Sequence, residues 1–207
     1  MEVPCIGCSL HPGILRCMDC FGNSVWCKDC ALSSHRSLPF HQIQIWNGKC
    51  SIRSSLFEQG FVMCLGHNGQ SCPAQRNAWE DVPMAGAKEE AEDNVEEVEG
   101  PDVCRNVAGQ DTLVIAHSNG VFHHCIQWCA CLGLPHHMQV FRHGLFSASL
   151  VRPKTAFTFD VLEHFYMDVM ECKTAGFSIF HKLRRFTNNA APASVPVVFT
   201  NHSWSTH

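Results

Sequence analysis

The pattern of apolar and polar positions predicts a β-hairpin in the second half of the chain. Residues 112–116 form a short apolar run, and residues 121–128 alternate in polarity. Between them lies Asn119-Gly120, a dipeptide typical of type I′ turns, in which both central residues have positive φ. Residues 138–146 are a candidate third strand. The residues expected on one face of the second strand are Phe122, Ile126 and Trp128.

Apolar residues at helical spacing predict two helices after these strands. Thr158 is a suitable N-cap for the first, with Asp160 in its first turn. Thr174 is a suitable N-cap for the second, whose last turn carries Arg184 and Arg185. We expect both apolar stripes to be buried in the core, and a groove for a cofactor or a partner is the alternative. The stripes are Leu162, Phe165, Tyr166, Val169 and Met170, then Phe177, Phe180 and Leu183.

Charge divides the chain into an acidic segment and a mildly basic remainder. The formal net charge is −4, but residues 80–102 contain ten of the nineteen acids and one base, Lys88. Such a block is typical of a solvated linker, which we place at residues 80–110. The remainder carries 14 bases and 9 acids. Its candidate phosphate contacts are Arg36, Lys49, Arg53, Arg142, Arg152, Lys154, Arg184 and Arg185.

Cysteine and histidine, at fourteen each, are the most unusual part of the composition. In an intracellular chain, dense cysteine indicates metal binding more often than disulfides. Three Cys-x2-Cys pairs and two histidines within residues 5–41 supply eight ligands, enough for two tetrahedral zinc sites. Because the protein fills every position, such sites are structural rather than catalytic. The predicted ligands are Cys5, Cys8, Cys17, Cys20, Cys27, Cys30, His35 and His41.

A sparser set of residues suggests a third zinc site. Cys129 and Cys131 end the second predicted strand, where residues i and i+2 face the same side. His67 and Cys72 would complete a tetrahedral set from the other side of the linker. The spacing alone is equally compatible with unrelated buried cysteines.

The spacing within residues 5–41 resembles that of cross-braced zinc fingers of the B-box and ZZ types. This resemblance implies that the first and third Cys-x2-Cys pairs share one ion, while the second pair joins the two histidines. The residues alone leave sequential pairing open. A RING finger fits less well, because its central Cys-x-His-x2-Cys element is missing.

Several longer stretches of the chain form recognisable sequence motifs in a fixed order. They are RCMDCFG (16–22), CALSSHRSLPFH (30–41), IWNG (45–48), LGH (65–67), CP (72–73), NGV (119–121), WCAC (128–131) and RPKTAFTF (152–159). These stretches resemble a fungal family, the CxC-type cysteine-cluster domains associated with KDZ (Kyakuja–Dileera–Zisupton) transposases. This resemblance implies a zinc-binding module N-terminal to a transposase domain, a nuclear location, work on DNA, and the third zinc site. The family's proteins are longer, so we expect a truncated product that lacks its transposase domain.

These observations predict small α+β zinc-stabilised domains: a cross-braced zinc finger, a cysteine-cluster domain containing the β-hairpin, and two C-terminal helices. The expected boundaries are 5–41 for the finger, 42–152 for the cysteine-cluster domain interrupted by the linker, 153–189 for the helical region and 190–207 for an irregular tail.

The expected function is a non-catalytic zinc module that assists DNA binding in transposition. No Gly-rich phosphate loop, nucleophile elbow or paired acid/base constellation is present, so we expect no enzyme. The alternative is a B-box-like protein-interaction module that does not bind nucleic acid, or a non-functional truncated remnant of a transposon. No apolar run approaches the roughly 18 residues of a membrane helix, so no membrane partner is expected.

Overall fold

The computed structural model describes residues 3–74, 111–131 and 133–195. The acidic linker and the end of the predicted tail therefore lie outside the described residues. Short 3-10 turns occur at His67–Gly69 and Pro192–Ser194. The strands and helices are β1 (Leu15–Cys17), β2 (Val25–Trp26), α1 (Lys28–Ser34), β3 (Ile43–Trp46), β4 (Ser51–Ser54), β5 (Val62–Leu65), β6 (Asp111–His117), β7 (Gly120–Trp128), α2 (His136–Arg142), β8 (Leu145–Ser147), β9 (Thr155–Thr158), α3 (Phe159–Cys172) and α4 (Gly176–Thr187).

The first sheet is antiparallel throughout and has the order β2-β1-β3-β4. Its centre pairs Cys17 with Ile43, and Ile43 in turn with Ser54. Strands β3 and β4 follow residue 41 in sequence, so the sheet joins the predicted finger to the segment after it. The proposed boundary at residue 41 stays a prediction.

The second sheet has the order β5-β7-β6-β9-β8 and is mixed. β6 and β7 form the predicted antiparallel hairpin, whereas β5 runs parallel to β7 and β9 parallel to β6. Because β7 lies inside the sheet, it is buried on both faces, at Val121 and Cys125 as well as at Ile126. The sequence predicted only one apolar face.

The predicted hairpin turn is wrong in its detail. His117 pairs with Gly120, so the two linking residues are Ser118 and Asn119 rather than Asn119-Gly120. Neither linking residue has positive φ, as a type I′ turn requires. Glycine is needed at position 120 for space, since a Cβ there would lie 2.9 Å from Oγ1 of Thr187.

The predicted strand at residues 138–146 is also wrong, because the segment is mostly helical. Pro135 immediately precedes α2 with φ −63° and ψ 152°. Gly144 follows the helix with φ 74°, which glycine adopts without strain, and only then does β8 begin. The buried pair Gln139 and Val140 fits one face of a helical turn, and a strand would place them on opposite faces.

The predicted N-cap of α3 is confirmed, but the predicted burial of its apolar stripe is wrong. Oγ1 of Thr158 accepts a hydrogen bond from N–H of Val161 at 3.2 Å. Val161 is the only buried residue of α3. Leu162 is half-buried. The exposed members of the stripe are Phe165, Tyr166, Val169 and Met170.

Helix α4 supplies most of the helical burial instead. Phe180 and Leu183 face inward as predicted, together with Ile179, whereas Phe177 is 74% exposed. The predicted cap at Thr174 is wrong, because Ala175 occupies the N-cap position and makes no side-chain cap bond. No described helix is long and apolar enough to cross a membrane.

One apolar core connects the two sheets. Leu15 and Ile43 of the first sheet belong to the same buried cluster as Leu113, Ile115 and Val140. A smaller cluster packs α4 on the hairpin through Val121, Phe180 and Leu183. Described residues on both sides of the acidic linker therefore form one packed unit. Polar contacts reinforce the junction, since the Asn119 amide donates to the Phe40 carbonyl at 3.0 Å.

Candidate metal centres

Four thiols converge between the N-terminal loop and the start of α1, and we call them cluster 1. The loop is tied down by backbone bonds from Cys5 to His11 and from Ile6 to Val25, at 2.9 and 3.0 Å. At the other wall, Cys27 is the N-cap of α1 and Cys30 lies in the helix. The members of cluster 1 are Cys5, Cys8, Cys27 and Cys30.

Two thiols and two imidazoles form cluster 2, which adjoins the C-terminal end of α1. Cys17 ends β1, and the sulfur of Cys17 accepts from N–H of Cys20 at 3.3 Å. His35 follows α1 directly, and its Nδ1 lies 2.8 Å from the Ala31 carbonyl. That bond makes Nδ1 the donor and leaves Nε2 free to bind a metal. The members of cluster 2 are Cys17, Cys20, His35 and His41.

The members of clusters 1 and 2 alternate along the chain, which is the cross-braced arrangement. Sequential pairing, which the residues alone left open, is not what the structure shows. In cluster 2 the imidazole of His41 lies 3.3 and 3.4 Å from the sulfurs of Cys17 and Cys20. Helix α1 lies between the two groups: it carries Cys30 of cluster 1, and its C-cap residue is His35 of cluster 2.

Cluster 3 joins the two sides of the acidic linker. His67 lies in the turn after β5, and Cys129 comes directly after β7, which is the parallel neighbour of β5. Nε2 of His67 lies 3.4 Å from the sulfur of Cys129, and the sulfurs of Cys72 and Cys131 are 3.5 Å apart. The members of cluster 3 are His67, Cys72, Cys129 and Cys131.

The spacing of these atoms fits tetrahedral zinc. Zn–S bonds of about 2.3 Å and Zn–N bonds of about 2.0–2.1 Å place two ligand sulfurs about 3.8 Å apart, and sulfur and nitrogen about 3.6 Å apart. Cys8 and Cys27 of cluster 1 have their sulfurs 3.8 Å apart, and Cys20 is 3.5 Å from Nε2 of His35. All described cysteines are reduced. The residues present therefore suit the ion that their chemistry implies.

Two glycines allow the thiols to approach so closely. N–H of Gly7 donates to the sulfur of Cys5 at 3.4 Å, and a Cβ on Gly7 would lie 3.0 Å from the sulfur of Cys30. A Cβ on Gly66 would lie 2.7 Å from Cβ of Cys129. Any larger side chain at either position would push a ligand out of its group.

A buried glutamine orients Cys129 in cluster 3. Oε1 of Gln139 accepts from N–H of Cys129 at 2.8 Å, and its Nε2 donates to the carbonyls of Cys129 and Leu134, both at 3.0 Å. Gln139 is 2% exposed, so these bonds are shielded from water. Sequence reasoning missed this residue, because nothing in the sequence distinguishes Gln139 from a surface glutamine.

The thiols within a cluster differ in acidity. At Cys17 burial opposes ionisation, but hydrogen bonds from His35 and nearby backbone N–H groups lower the thiol pKa to about 6. Burial, with the neighbouring thiol, raises the pKa of Cys20 to about 11. Backbone N–H groups outweigh burial at Cys72 and lower its pKa to about 5. Cluster 2 and cluster 3 therefore each contain one thiol that ionises readily and can bind a cation first. The bound cation would then displace the protons of the remaining thiols.

The other described cysteines and histidines do not converge in groups of three or more. Cys50 and Cys172 are exposed, and the thiol of Cys64 lies 3.1 Å from Oε1 of Gln127. His124 is 1% exposed. Cys104 lies outside the described residues.

A family model described as a CxC2 like cysteine cluster associated with KDZ transposases matches residues 98–191. The resemblance suggested by the sequence is therefore confirmed over a range that includes Cys129 and Cys131. His67, Cys72 and clusters 1 and 2 precede the match. No curated protein and no solved structure matches the chain.

Proposed function

We propose that this chain is a zinc-binding, non-catalytic module of a transposase-associated protein, and that it assists the binding of DNA. The observation that carries the metal part is the convergence of three four-residue groups at tetrahedral spacing. In each group the protein supplies four ligands, which leaves no position for a reacting water, so bound zinc would be structural.

Zinc would supply stability that the N-terminal segment otherwise lacks. Few apolar side chains of residues 5–41 are buried apart from the cysteines, chiefly Leu15 and Ala31. A segment of this size needs metals or disulfides to fold, and a structural zinc contributes about 10–16 kcal/mol of apparent binding free energy in small finger peptides. By binding the ions, the ligand residues would also link the N-terminal loop, β1 and α1 to one another.

Elemental analysis of the purified protein tests this proposal. We expect three zinc ions per chain, falling by one in each of the variants Cys8→Ser, Cys20→Ser and Cys72→Ser. Cys172→Ser, at an exposed cysteine of α3 outside every cluster, is the matched control and should retain all three ions. A folded protein that purifies without metal, or that loses none in the cluster variants, would contradict the metal assignment.

The DNA part rests on the family match and on charge. The described residues contain twelve lysines and arginines and eight acids. Only one lysine or arginine, Lys182, forms an ion pair with a described acid, namely Asp168 at 2.5 Å. Arg16 and Arg53 are held by side-chain hydrogen bonds.

Exposed cations such as Arg36, Arg142 and Lys154 form no side-chain hydrogen bond with a described residue and are available to phosphates. We expect duplex DNA binding that weakens steeply with rising salt, because phosphate contacts release counterions. Binding that is absent at low ionic strength, or indifferent to salt, would contradict this part.

A second candidate function, docking to another protein, is favoured by the exposed side of α3. Phe165, Tyr166, Met167 and Met170 are 37%, 60%, 50% and 58% exposed on adjacent turns of this helix. The partner we propose is the transposase domain with which the matched family is associated. Size-exclusion chromatography at rising protein concentration tests whether this surface is adhesive. Self-association that the double variant Tyr166→Gln with Met170→Gln removes would support a docking surface. A protein that stays monomeric at every concentration would count against it.

The proposed place of work is the nucleus, where a DNA-binding module of a mobile element would act. Imaging of the full chain fused to a fluorescent protein tests this location, and exclusion from the nucleus would contradict it.

A further inference from the structure

A cleft of about 560 Å³ lies between the loop after α1 and the end of α2. The loop contributes Arg36 and the opposite wall contributes Arg142. Histidines and an asparagine add further polar groups to its lining, and none of its lining residues is acidic. The arginines, histidines and asparagine of the lining are Arg36, His41, Asn68, His117, Arg142 and His143.

Within the part of the chain that the structure describes, neither arginine has an acidic partner. Arg36 and Arg142 are exposed, and neither forms an ion pair or a side-chain hydrogen bond with a described residue. The aliphatic stem of Arg36 runs beside Gly69, since a Cβ on that glycine would lie 3.7 Å from Cγ of Arg36. The stem is thus held along the cleft wall while five N–H donors of the guanidinium stay available.

Two of the candidate metal clusters adjoin this cleft. Arg36 directly follows His35, and the loop returns to cluster 2 at His41. Asn68 directly follows His67 of cluster 3 and has φ 55°, within the turn His67–Gly69 that lies beside the stem of Arg36. The backbones of Arg36 and Asn68 are therefore restricted by neighbouring candidate metal ligands, which lowers the entropy lost when a ligand binds.

We infer that this cleft binds a phosphate group through Arg36 and Arg142. Planar guanidinium groups form paired hydrogen bonds with phosphate oxygens, and an acid-free surrounding leaves the anion without repulsion. The amide of Asn68 adds a neutral donor.

The phosphate source that we favour is the nucleic-acid backbone, and this choice rests on the proposed function. With its volume of about 560 Å³, the cleft accommodates a phosphodiester and its sugar but not a duplex. It would therefore grip one strand's backbone at the surface and fix the register of the protein, without reading bases.

The test compares two double variants with the same change in charge. Arg36→Ala with Arg142→Ala removes both cleft cations. Lys28→Ala with Lys173→Ala removes two exposed cations that lie outside the cleft lining and are not among the candidate phosphate contacts. Zinc content and thermal unfolding are measured on both to show that each folds. We expect the cleft variant to bind duplex DNA at least about tenfold more weakly, with its salt slope reduced by about two, and the control to bind nearly as wild type.

A second measurement uses inorganic phosphate alone. We expect millimolar phosphate to shift the NMR signals of the Arg36 and Arg142 side chains and of the Asn68 amide in the zinc-loaded protein, and to shift none of them after zinc is removed. DNA binding weakened equally in both double variants would overturn the cleft and leave the DNA function standing. Phosphate shifts without any DNA binding would uphold the cleft and overturn its nucleic-acid source. If the protein shows neither phosphate-induced shifts nor DNA binding, both the phosphate site and the DNA function are contradicted.

Discussion

At the scale of single residues, the candidate metal centres depend on residues that are not ligands. Gly66 and Gln139 both act on Cys129, the first by leaving room and the second by holding its backbone. Such partners commonly decide the affinity of a metal site, since they fix the ligands before the ion arrives. Their variants therefore test cluster 3 without removing a ligand.

Gly66→Ala should empty cluster 3. The new Cβ would lie 2.7 Å from Cβ of Cys129, so the backbone must move apart. We expect zinc content to fall by one ion per chain in elemental analysis. Gly60→Ala is the control: its positive φ of 87° makes alanine strained, but nothing lies within 4 Å. It should lower stability by about 1 kcal/mol and retain all metal. Equal zinc content in both variants would show that Gly66 is not needed for space.

His124 should make the protein sensitive to mild acid. It is buried among Phe40, Phe61 and Phe122, and burial lowers its pKa to about 3. The unfolded chain binds a proton near the ordinary pKa of about 6.5, so stability is lost as pH falls from about 6.5 towards 3. Between pH 7 and 5.5 this loss is about 1 kcal/mol.

The variant His124→Phe isolates that effect. We expect its free energy of unfolding, from urea titrations, to fall about 1 kcal/mol less than that of the wild type between pH 7 and 5.5. His164→Phe, at an exposed position of α3, is the control and should keep the wild-type slope. Identical slopes in wild type and His124→Phe would contradict the buried neutral histidine.

At the scale of elements, capping interactions at the ends of short strands and helices fix their positions as much as side-chain packing on their faces does. Thr158 closes β9 and caps α3, and its hydroxyl also lies 3.0 Å from Nδ1 of His117. At the other end, Lys173 takes the left-handed conformation with φ 51°. Because α3 buries only Val161, its caps matter more than its packing.

Thr158→Ala should therefore destabilise the fold by about 1 kcal/mol, the usual loss for an N-cap. Thr158→Ser keeps the oxygen that accepts from Val161 and should restore most of the loss. Urea titration of the three proteins measures both effects. A serine variant as unstable as the alanine variant would mean that the lost methyl group, rather than the cap, matters.

At the scale of the whole molecule, two sheets share one core although an acidic linker separates their sequences. Gln42 of the first half donates to the carbonyls of Asn119 and Phe186, at 2.9 and 3.3 Å. The two halves are also joined through cluster 3, whose members come from both sides of the linker. Loss of metal from one cluster should therefore destabilise both sheets.

Removal of zinc by a strong chelator should unfold residues 5–41 first. Their apolar burial is small, and clusters 1 and 2 replace it. We expect hydrogen exchange at the amides of β1 and α1 to reach rates of the unfolded chain, and protection of β6 and β7 to fall as their shared core is exposed. Added zinc should restore both. Persistent protection of β1 and α1 without metal would contradict a structural role for these clusters.

Local patterns determined what the sequence predicts well. The hairpin of β6 and β7 and the cap at Thr158 follow from neighbouring residues, as does the Cys-x2-Cys spacing that pairs thiols. Strands β3, β4 and β5 escaped prediction because each is only four residues long. Their pairing depends on partners far along the chain, which no short window of sequence contains.

Only the tertiary structure decided which surfaces are covered. The stripe of α3 has the spacing of a core face, yet α4 and the hairpin already fill the core beside it, so Phe165 and Met170 stay exposed. Arg36 and Arg142 likewise meet at one cleft because the chain folds back across more than a hundred residues. The sequence by itself determined which atoms can bind a metal, since that is a property of residue type and short spacing. Folding decided which cations and apolar faces remain free for a partner, since that depends on contacts between distant segments.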